Sequence, residues 1–239
     1  MVRKIITDER VSSGISGLDK IIEGGYEKNS AVLITGGGGS GKTIVGVQFL
    51  VEGIANHDET GIYVSFEESK EKFYKHMIQF GWDLEEWEKK GRFVFVSFSP
   101  QEMIKIIQTR GTSLESVIKE VKAKRITIDS LSAFSALFER ESDQREMLVA
   151  LFKMISKWDC TTVVIAEEDQ DIVKPRSTVM GLMADAIIRL FMILKPDYTM
   201  GRAMQVFKMR GTKHSFKVFP INITTKGIEA YPDAKIECT

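Results

Sequence analysis

The eight residues Gly36-Gly37-Gly38-Gly39-Ser40-Gly41-Lys42-Thr43 hold the parts that phosphate chemistry needs. Glycines let a backbone curl until successive N–H groups converge on anionic oxygens. Lys42 supplies a cation for β- and γ-phosphates, and the Thr43 hydroxyl can ligate Mg²⁺. The spacing fits G-x-x-x-x-G-K-[ST], so a nucleoside triphosphate with Mg²⁺ is the expected ligand. An ordinary glycine-rich turn is the alternative, and the flanks argue against it. Ala31 to Ile34 is a short apolar run, as in a buried strand, and Ile44, Val47, Val51 and Ile54 recur at helical spacing. A helix starting at the loop adds its positive dipole end to the anion site.

Three further groups could complete that chemistry. Asp129 ends the strand-like run Arg125 to Asp129, and carboxylates at the carboxyl ends of parallel strands face the ligand crevice. There Asp129 could hold Mg²⁺ with Thr43, or merely cap the turn that follows. Glu67 and Glu68 end the run beginning at Gly61. Either could polarise a water for attack on a γ-phosphate, and either could instead cap the helix that Ser69 opens. Lys208 and Arg210 share one face of a C-terminal strand, with Met209 on the other. Two such cations could clamp a phosphate, or form a solvated sheet edge.

The elements needed to hold these groups are legible as alternating patterns. Residues 12–25 read as a short amphipathic helix between glycines. Strands are expected at 61–66, 92–98, 125–129 and 161–166. Between them fall helices opened by Ser69, with Phe73, Met77 and Phe80 on one face and Gly81 closing it, and by Ser113, with Leu114, Val117, Ile118 and Val121. A longer helix is expected over about 142–157. Nearly all-apolar strands alternating with helices specify a mainly parallel sheet covered on both faces, an α/β fold. From Asp185 onward three strand-like runs joined by short turns predict an antiparallel extension of the same sheet. No repeat or linker interrupts the chain, so residues 1–239 are expected to form a single domain.

Composition narrows the function classes. Lys plus Arg and Asp plus Glu number 33 each in 239 residues, so no global field favours nucleic acid or an anionic membrane. Cys160 and Cys238 lack metal-ligand spacing, and Cys160, beside an apolar strand, is expected to be a packing residue. No apolar run reaches membrane-spanning length and the start has no signal-peptide pattern. A cytoplasmic location is expected.

Taken together, Gly14-Ile-Ser-Gly-Leu-Asp19 with Glu23-Gly-Gly25, the phosphate loop, Tyr63-Val-Ser-Phe-Glu-Glu68, Ile128-Asp-Ser130 and Lys208-Met-Arg-Gly-Thr-Lys-His214 resemble the KaiC-like ATPases of the RecA superfamily, especially the single-domain archaeal type. The resemblance spans about residues 11 to 225. It implies ATP as the nucleotide, where the residues alone do not choose it over GTP. It also implies support of hydrolysis by the paired glutamates, and a ring, commonly a hexamer, in which Lys208 and Arg210 reach the nucleotide of the adjacent subunit. A regulatory or signalling partner, of unknown identity, is implied for the output. Two departures matter. Clock proteins of this type carry two tandem copies of the domain, and this chain carries one. Where their autophosphorylating copy has a Ser-Thr pair before the Asp that starts the next strand, here Asp185, this chain has Gly181-Leu182. Ser177 and Thr178 lie a few residues earlier, and nothing moves the role onto them. Autophosphorylation and clock function are therefore not expected. DNA-binding accessory activity stays open by fold analogy, although the loop 167–177 has four acids against two bases and is a poor surface for phosphates. A scaffold that binds nucleotide and scarcely hydrolyses it is the other alternative.

Overall fold

The computed structural model describes residues 9–109, 112–168 and 178–236. The described residues begin with two short antiparallel strands, β1 (Arg10–Val11) and β2 (Tyr26–Glu27), around the helix α1 (Ser16–Ile21). The main sheet then begins with β3 (Ala31–Gly36), followed by α2 (Lys42–Asn56) and β4 (Gly61–Ser65). Next come α3 (Lys70–Met77), which runs into a 3-10 turn at Ile78–Phe80, then α4 (Leu84–Lys89) and β5 (Phe93–Ser97). After α5 (Pro100–Gln108) and α6 (Thr112–Glu120) lie β6 (Arg125–Asp129), α7 (Leu131–Ser135), α8 (Glu141–Ile155) and β7 (Thr161–Glu167). A short α9 (Val179–Met183) leads to β8 (Ala186–Leu194), β9 (Met200–Met209), β10 (Val218–Thr224) and β11 (Gly227–Ala230).

Nine strands form one sheet in the order β11-β10-β9-β8-β3-β7-β6-β4-β5. From β8 through to β5 neighbouring strands are parallel, and β9, β10 and β11 continue antiparallel. This is the expected α/β architecture with one shift of boundary. β8, expected to open the antiparallel part, pairs parallel with β3, and the reversal falls between β8 and β9. β11 was not foreseen, being a strand of only four residues that starts at Gly227 directly after a tight turn. Nor was α5, although its start carries a full capping box, Ser99 with Glu102, and Pro100 in its first turn. Ser113 lies inside α6 rather than before it, and Ser69 occupies the cap position of α3 without a side-chain bond to it. α1 is six residues long, the remainder of 12–25 being turns and irregular chain between β1 and β2.

Within the apolar strands, alternate residues feed two cores. Val32 and Ile34 of β3, Tyr63 of β4 and Val163 and Ile165 of β7 join a core with α1, α2 and α3. Leu33, Ile62, Val64, Ile126, Ile128 and Val164 join another with α5, α6 and α8. Val32, Leu33 and Ile34 are fully buried, and each such side chain contributes roughly 1.5–3 kcal/mol. The strand that carries the phosphate loop is thus held from both faces. Cys160 is buried in the second core, as expected, and burial pushes its thiol up to about 12. Among the described residues no helix is long and apolar enough to cross a membrane.

α2 sits close against the sheet at Gly46. A Cβ at Gly46 would fall 2.6 Å from Thr127 Cγ2 and 2.9 Å from Ile165 Cδ1. Thr127 cannot swing away freely, because its hydroxyl donates to the Gly46 carbonyl at 2.8 Å. Further along, Gly53 lies against Arg125, a fully buried side chain. Its guanidinium donates to Glu59, to the Ser12 and Phe49 carbonyls, and covers the Phe49 ring. Alanine is the better helix former by ~1 kcal/mol, whereas overpacking costs about 1–3 kcal/mol. Gly46→Ala is therefore expected to destabilise the protein by up to ~2 kcal/mol in urea unfolding. A stabilised variant would refute the close seating of α2.

Candidate nucleotide site

The parallel register brings the chemistry-bearing residues to one edge. β7 lies between β3 and β6, and β6 pairs with β4, with Gly36 opposite Glu167 and Ser65 opposite Asp129. The carboxyl ends of these strands therefore align the glycine loop, Glu167, Asp129 and the Glu67-Glu68 pair. Where β3 becomes the loop only glycine fits, since a Cβ at Gly36 would lie 2.5 Å from the Leu190 carbonyl oxygen. Gly41, at φ 103°, turns the chain into α2. Lys42 folds back over the loop, its ammonium donating to the Gly36 and Gly37 carbonyls at 2.9 and 2.8 Å, with Glu167 at 3.8 Å. The Ser40 hydroxyl donates to Gly37 O, and Arg202 of β9 donates to Gly39 O at 3.0 Å.

Thr43 and Asp129, 86 positions apart, meet directly. The Thr43 hydroxyl donates to Asp129 Oδ2 at 2.7 Å, and the Tyr63 hydroxyl donates to the same oxygen at 2.7 Å. Burial holds the Asp129 carboxyl above its usual range, opposed by these two hydrogen bonds and by Lys42. Burial, followed by the charge of Asp129, raises the Tyr63 phenol well above its ordinary value. A hydroxyl and one carboxylate in contact, beside a phosphate loop, are the oxygen donors that Mg²⁺ accepts when phosphate and water fill its remaining positions. Among the described residues no cluster of three or more His, Cys, Asp or Glu forms a self-sufficient metal cage. The donor set fits a metal that arrives with its nucleotide.

The two glutamates are not equivalent. Glu67 is exposed just beyond β4, while Glu68 is half-buried, its carboxylate 3.0 Å from His76 Nδ1 on α3 and its amide donating to Ser65 Oγ. The Phe66 amide donates to the Asp129 carbonyl at 3.0 Å, so the turn carrying both acids is tied to the end of β6. Glu68 is thus engaged with the helix, and Glu67 is the more open of the pair.

Lys208 and Arg210 lie at the opposite edge. Met209 pairs with Ala186, which pairs with Val32, and the Arg210 amide donates to the Asp185 carbonyl. Arg210 is therefore level with the start of β3, five residue steps or about 16 Å of strand from Gly36. Both side chains turn to the same side, as alternation predicts. Lys208 donates to the Gly181 and Ala184 carbonyls at 3.0 and 2.6 Å, closing the end of α9. Arg210, 55% exposed, reaches Asp185 and the Leu182 carbonyl. Burial, and then the neighbouring Arg210, pull the Lys208 ammonium below its usual range. Asp185 does precede a strand, β8, and Gly181-Leu182 lie in α9. Of the acidic loop 167–177 only Glu167 and Glu168 fall within the described residues, and Cys238 and Ser177 fall outside them.

Sequence reasoning assigned no role to Tyr63, Glu167 or Arg202. Glu167 was open to the argument used for Asp129, as an acid closing a parallel strand. Tyr63 and Arg202 carry no such signal, since their contacts arise from strand pairing across the sheet.

The raised pKa of Asp129 has a testable sign. The folded chain binds this proton more tightly than the unfolded chain, so the group favours folding below the ordinary carboxylate value of 3.8 and loses that contribution as pH rises through its folded value. Asp129→Asn removes the buried charge and is expected to raise the melting temperature of the ligand-free protein at neutral pH. The gain should shrink as pH falls toward 3.8. Melting curves across that range check it, and a gain independent of pH would contradict it.

Comparison with known proteins identifies the family. A family model described as ATPase: KaiC matches residues 11–235. The chain is 35% identical over 96% of its length to the circadian clock protein KaiC3 of Synechocystis, and spans 47% of that protein. It is 33% identical to the UPF0273 protein PH0284 of Pyrococcus horikoshii, with 94% of each chain covered. The solved structure of the KaiC-like protein PH0186 from P. horikoshii superposes with a TM-score of 0.82 at 33% identity, covering 94% of this chain and 99% of the other. The phosphate loop, its position on a mainly parallel sheet, and these similarities agree: the chain belongs to the KaiC family of RecA-like ATPases.

Proposed function

We propose that this chain binds Mg-ATP between Gly36–Thr43 and Asp129, hydrolyses it, and works in a ring whose adjacent copy presents Arg210, with Lys208 beside it, to the γ-phosphate. A protein partner whose state depends on the nucleotide would read the resulting conformational change. The observation that carries the reading is the division of charged groups between the two edges of one sheet. Lys42, Thr43 and Asp129 converge at the carboxyl edge, whereas Arg210 is about 16 Å away along the strands and 55% exposed. A cation so placed can serve a nucleotide only in another copy.

In this scheme Lys42 exchanges the Gly36 and Gly37 carbonyls for β- and γ-phosphate oxygens. Thr43 and Asp129 would hold Mg²⁺ through their side-chain oxygens, and the ion would supply positive charge beside the phosphates. Glu67 accepts a proton from the attacking water as its oxygen bonds to the γ-phosphorus and the bond to the bridging oxygen breaks, giving ADP and phosphate. Glu68, held by His76, steadies the turn.

Phosphate release separates the steps. Lys42→Ala is expected to lose at least about 100-fold in turnover along with ATP binding, and Glu67→Gln about 10²–10⁴-fold with binding retained. Unchanged turnover in Lys42→Ala would exclude hydrolysis at this loop. Sharing of the site between copies has its own measurement. Lys42→Ala and Arg210→Ala subunits, each inactive alone, should regain activity when mixed, because one contributes the loop and the other the arginine. Mixed assemblies without recovery would place Arg210 outside the site.

A further inference from the structure

The N-terminal segment, with Gly14-Ile-Ser-Gly-Leu-Asp19 and Glu23-Gly-Gly25, takes no part in the scheme above, yet it is densely tied. The Asp19 carboxylate accepts from the Ser13 amide at 3.0 Å and from the Ser12 hydroxyl at 2.9 Å, which bends the chain into α1. A Cβ at Gly25 would sit 2.3 Å from the Val11 carbonyl oxygen, so only glycine lets β2 return against β1. α1 is seated as closely, with Gly17 facing the Ala230 carbonyl where a Cβ would come within 2.0 Å. Gln48 of α2 adds a clamp, donating to the Gly14 carbonyl at 2.7 Å while accepting from the Ile228 amide at 2.7 Å.

The same segment carries Arg10. Arg10, in β1, is 16% exposed and donates through Nη1 to the Thr212 hydroxyl oxygen at 2.7 Å, with Glu23 steadying Nη2 at 3.4 Å. The Thr212 hydroxyl in turn donates to the Arg210 carbonyl at 3.3 Å. On its other side the Arg210 amide donates to the Asp185 carbonyl at 3.0 Å. The backbone of Arg210 is therefore fixed at both its N–H and its C=O, although Arg210 lies past the end of β9 in a turn.

We infer that Arg10 is a positioning residue for the arginine presented to the neighbouring copy. Acting through Thr212, it fixes the turn from which Arg210 projects. This inference rests on the shared-site reading above. Phosphoryl transfer depends on placement, and a displacement of about 1 Å can cost on the order of 10²-fold. Loss of one of two backbone anchors is expected to cost about tenfold in kcat, with ATP affinity at the chain's own loop unchanged.

The test compares Arg10→Ala, Arg10→Lys, Thr212→Val and Thr212→Ser with Arg210→Ala, measuring ATP binding, phosphate release and assembly for each. Arg10→Ala and Thr212→Val should each lower kcat about tenfold without altering the ATP dissociation constant, and Arg10→Lys and Thr212→Ser should restore most of it. Mixing Arg10→Ala with Lys42→Ala subunits should return the per-site rate to the wild-type value, since the loop comes from one and a well-placed Arg210 from the other. A defect in simple folding would not be repaired that way. If Arg210→Ala is inactive while Arg10→Ala and Thr212→Val turn over at the wild-type rate, the positioning role is wrong and the shared site stands. If Arg210→Ala itself is fully active, the shared site falls and the inference with it.

Discussion

Thr43 meets Asp129 because Gly46 meets Thr127. On a helix, residues three apart lie on one side, so Thr43 and Gly46 look the same way from α2. On a strand, residues two apart share a face, so Thr127 and Asp129 look the same way from β6. Once the missing Cβ of Gly46 lets the helix backbone drop onto Thr127, and the Thr127 hydroxyl bonds the Gly46 carbonyl at 2.8 Å, Thr43 is set beside Asp129. The 2.7 Å contact between hydroxyl and carboxylate is then a consequence of how the helix is seated. Lys42, one residue earlier, is carried over the loop by the same docking. A larger residue at position 46 would lift α2 and open the distance between the two groups before any ligand arrived.

That dependence explains what could be read from the sequence and what could not. β3, β6 and β7 were legible because their apolar runs are continuous and their neighbours are helices. The phosphate loop was legible because its residue types have one joint use. Asp129 followed from both, since a parallel sheet puts every carboxyl end on one edge. Contacts between strands distant in sequence were another matter. Tyr63 looks like any aromatic strand residue, and only the pairing of β4 with β6 brings its hydroxyl to Asp129. Arg202 looks like a charged residue of an outer strand, and only β9 beside β8 beside β3 brings it to Gly39. The parallel placing of β8 was obscured for a related reason. The pattern of a strand records burial, and burial on both faces is the same whichever way its neighbour runs.

The ligand-free edge is satisfied from within. Lys42 is bonded to two loop carbonyls and lies near Glu167, and Asp129 is bonded to two hydroxyls. Each is a partner that Mg-ATP would replace in kind: phosphate oxygens for the carbonyls facing Lys42, a divalent cation for the hydroxyls facing Asp129. The exchange differs for the two groups. Lys42 leaves neutral acceptors for charged ones, which strengthens its bonds. Asp129 is a desolvated carboxylate whose proton affinity is already raised, so a divalent ion relieves a charge that two neutral hydroxyls meet only in part. Both exchanges would favour a triphosphate that arrives with its metal.

The opposite edge is built on another principle. Lys208 is spent largely on the carbonyls that end α9, and Arg210 keeps an exposed guanidinium on a backbone anchored from both sides. A flexible arginine would lose rotamer and backbone freedom on reaching a phosphate, and each such loss subtracts from what the contact contributes. An arginine on a fixed turn has given up much of that freedom during folding. The antiparallel strands β8 and β9 carry it to the start of β3, while β3 itself carries the loop to the other end. Loop and arginine are thus rigidly connected through a shared sheet yet too far apart to serve one nucleotide. If adjacent copies share a site in this way, any tilt of one copy moves its loop at one nucleotide and its arginine at the next, and this couples neighbouring sites without a flexible linker.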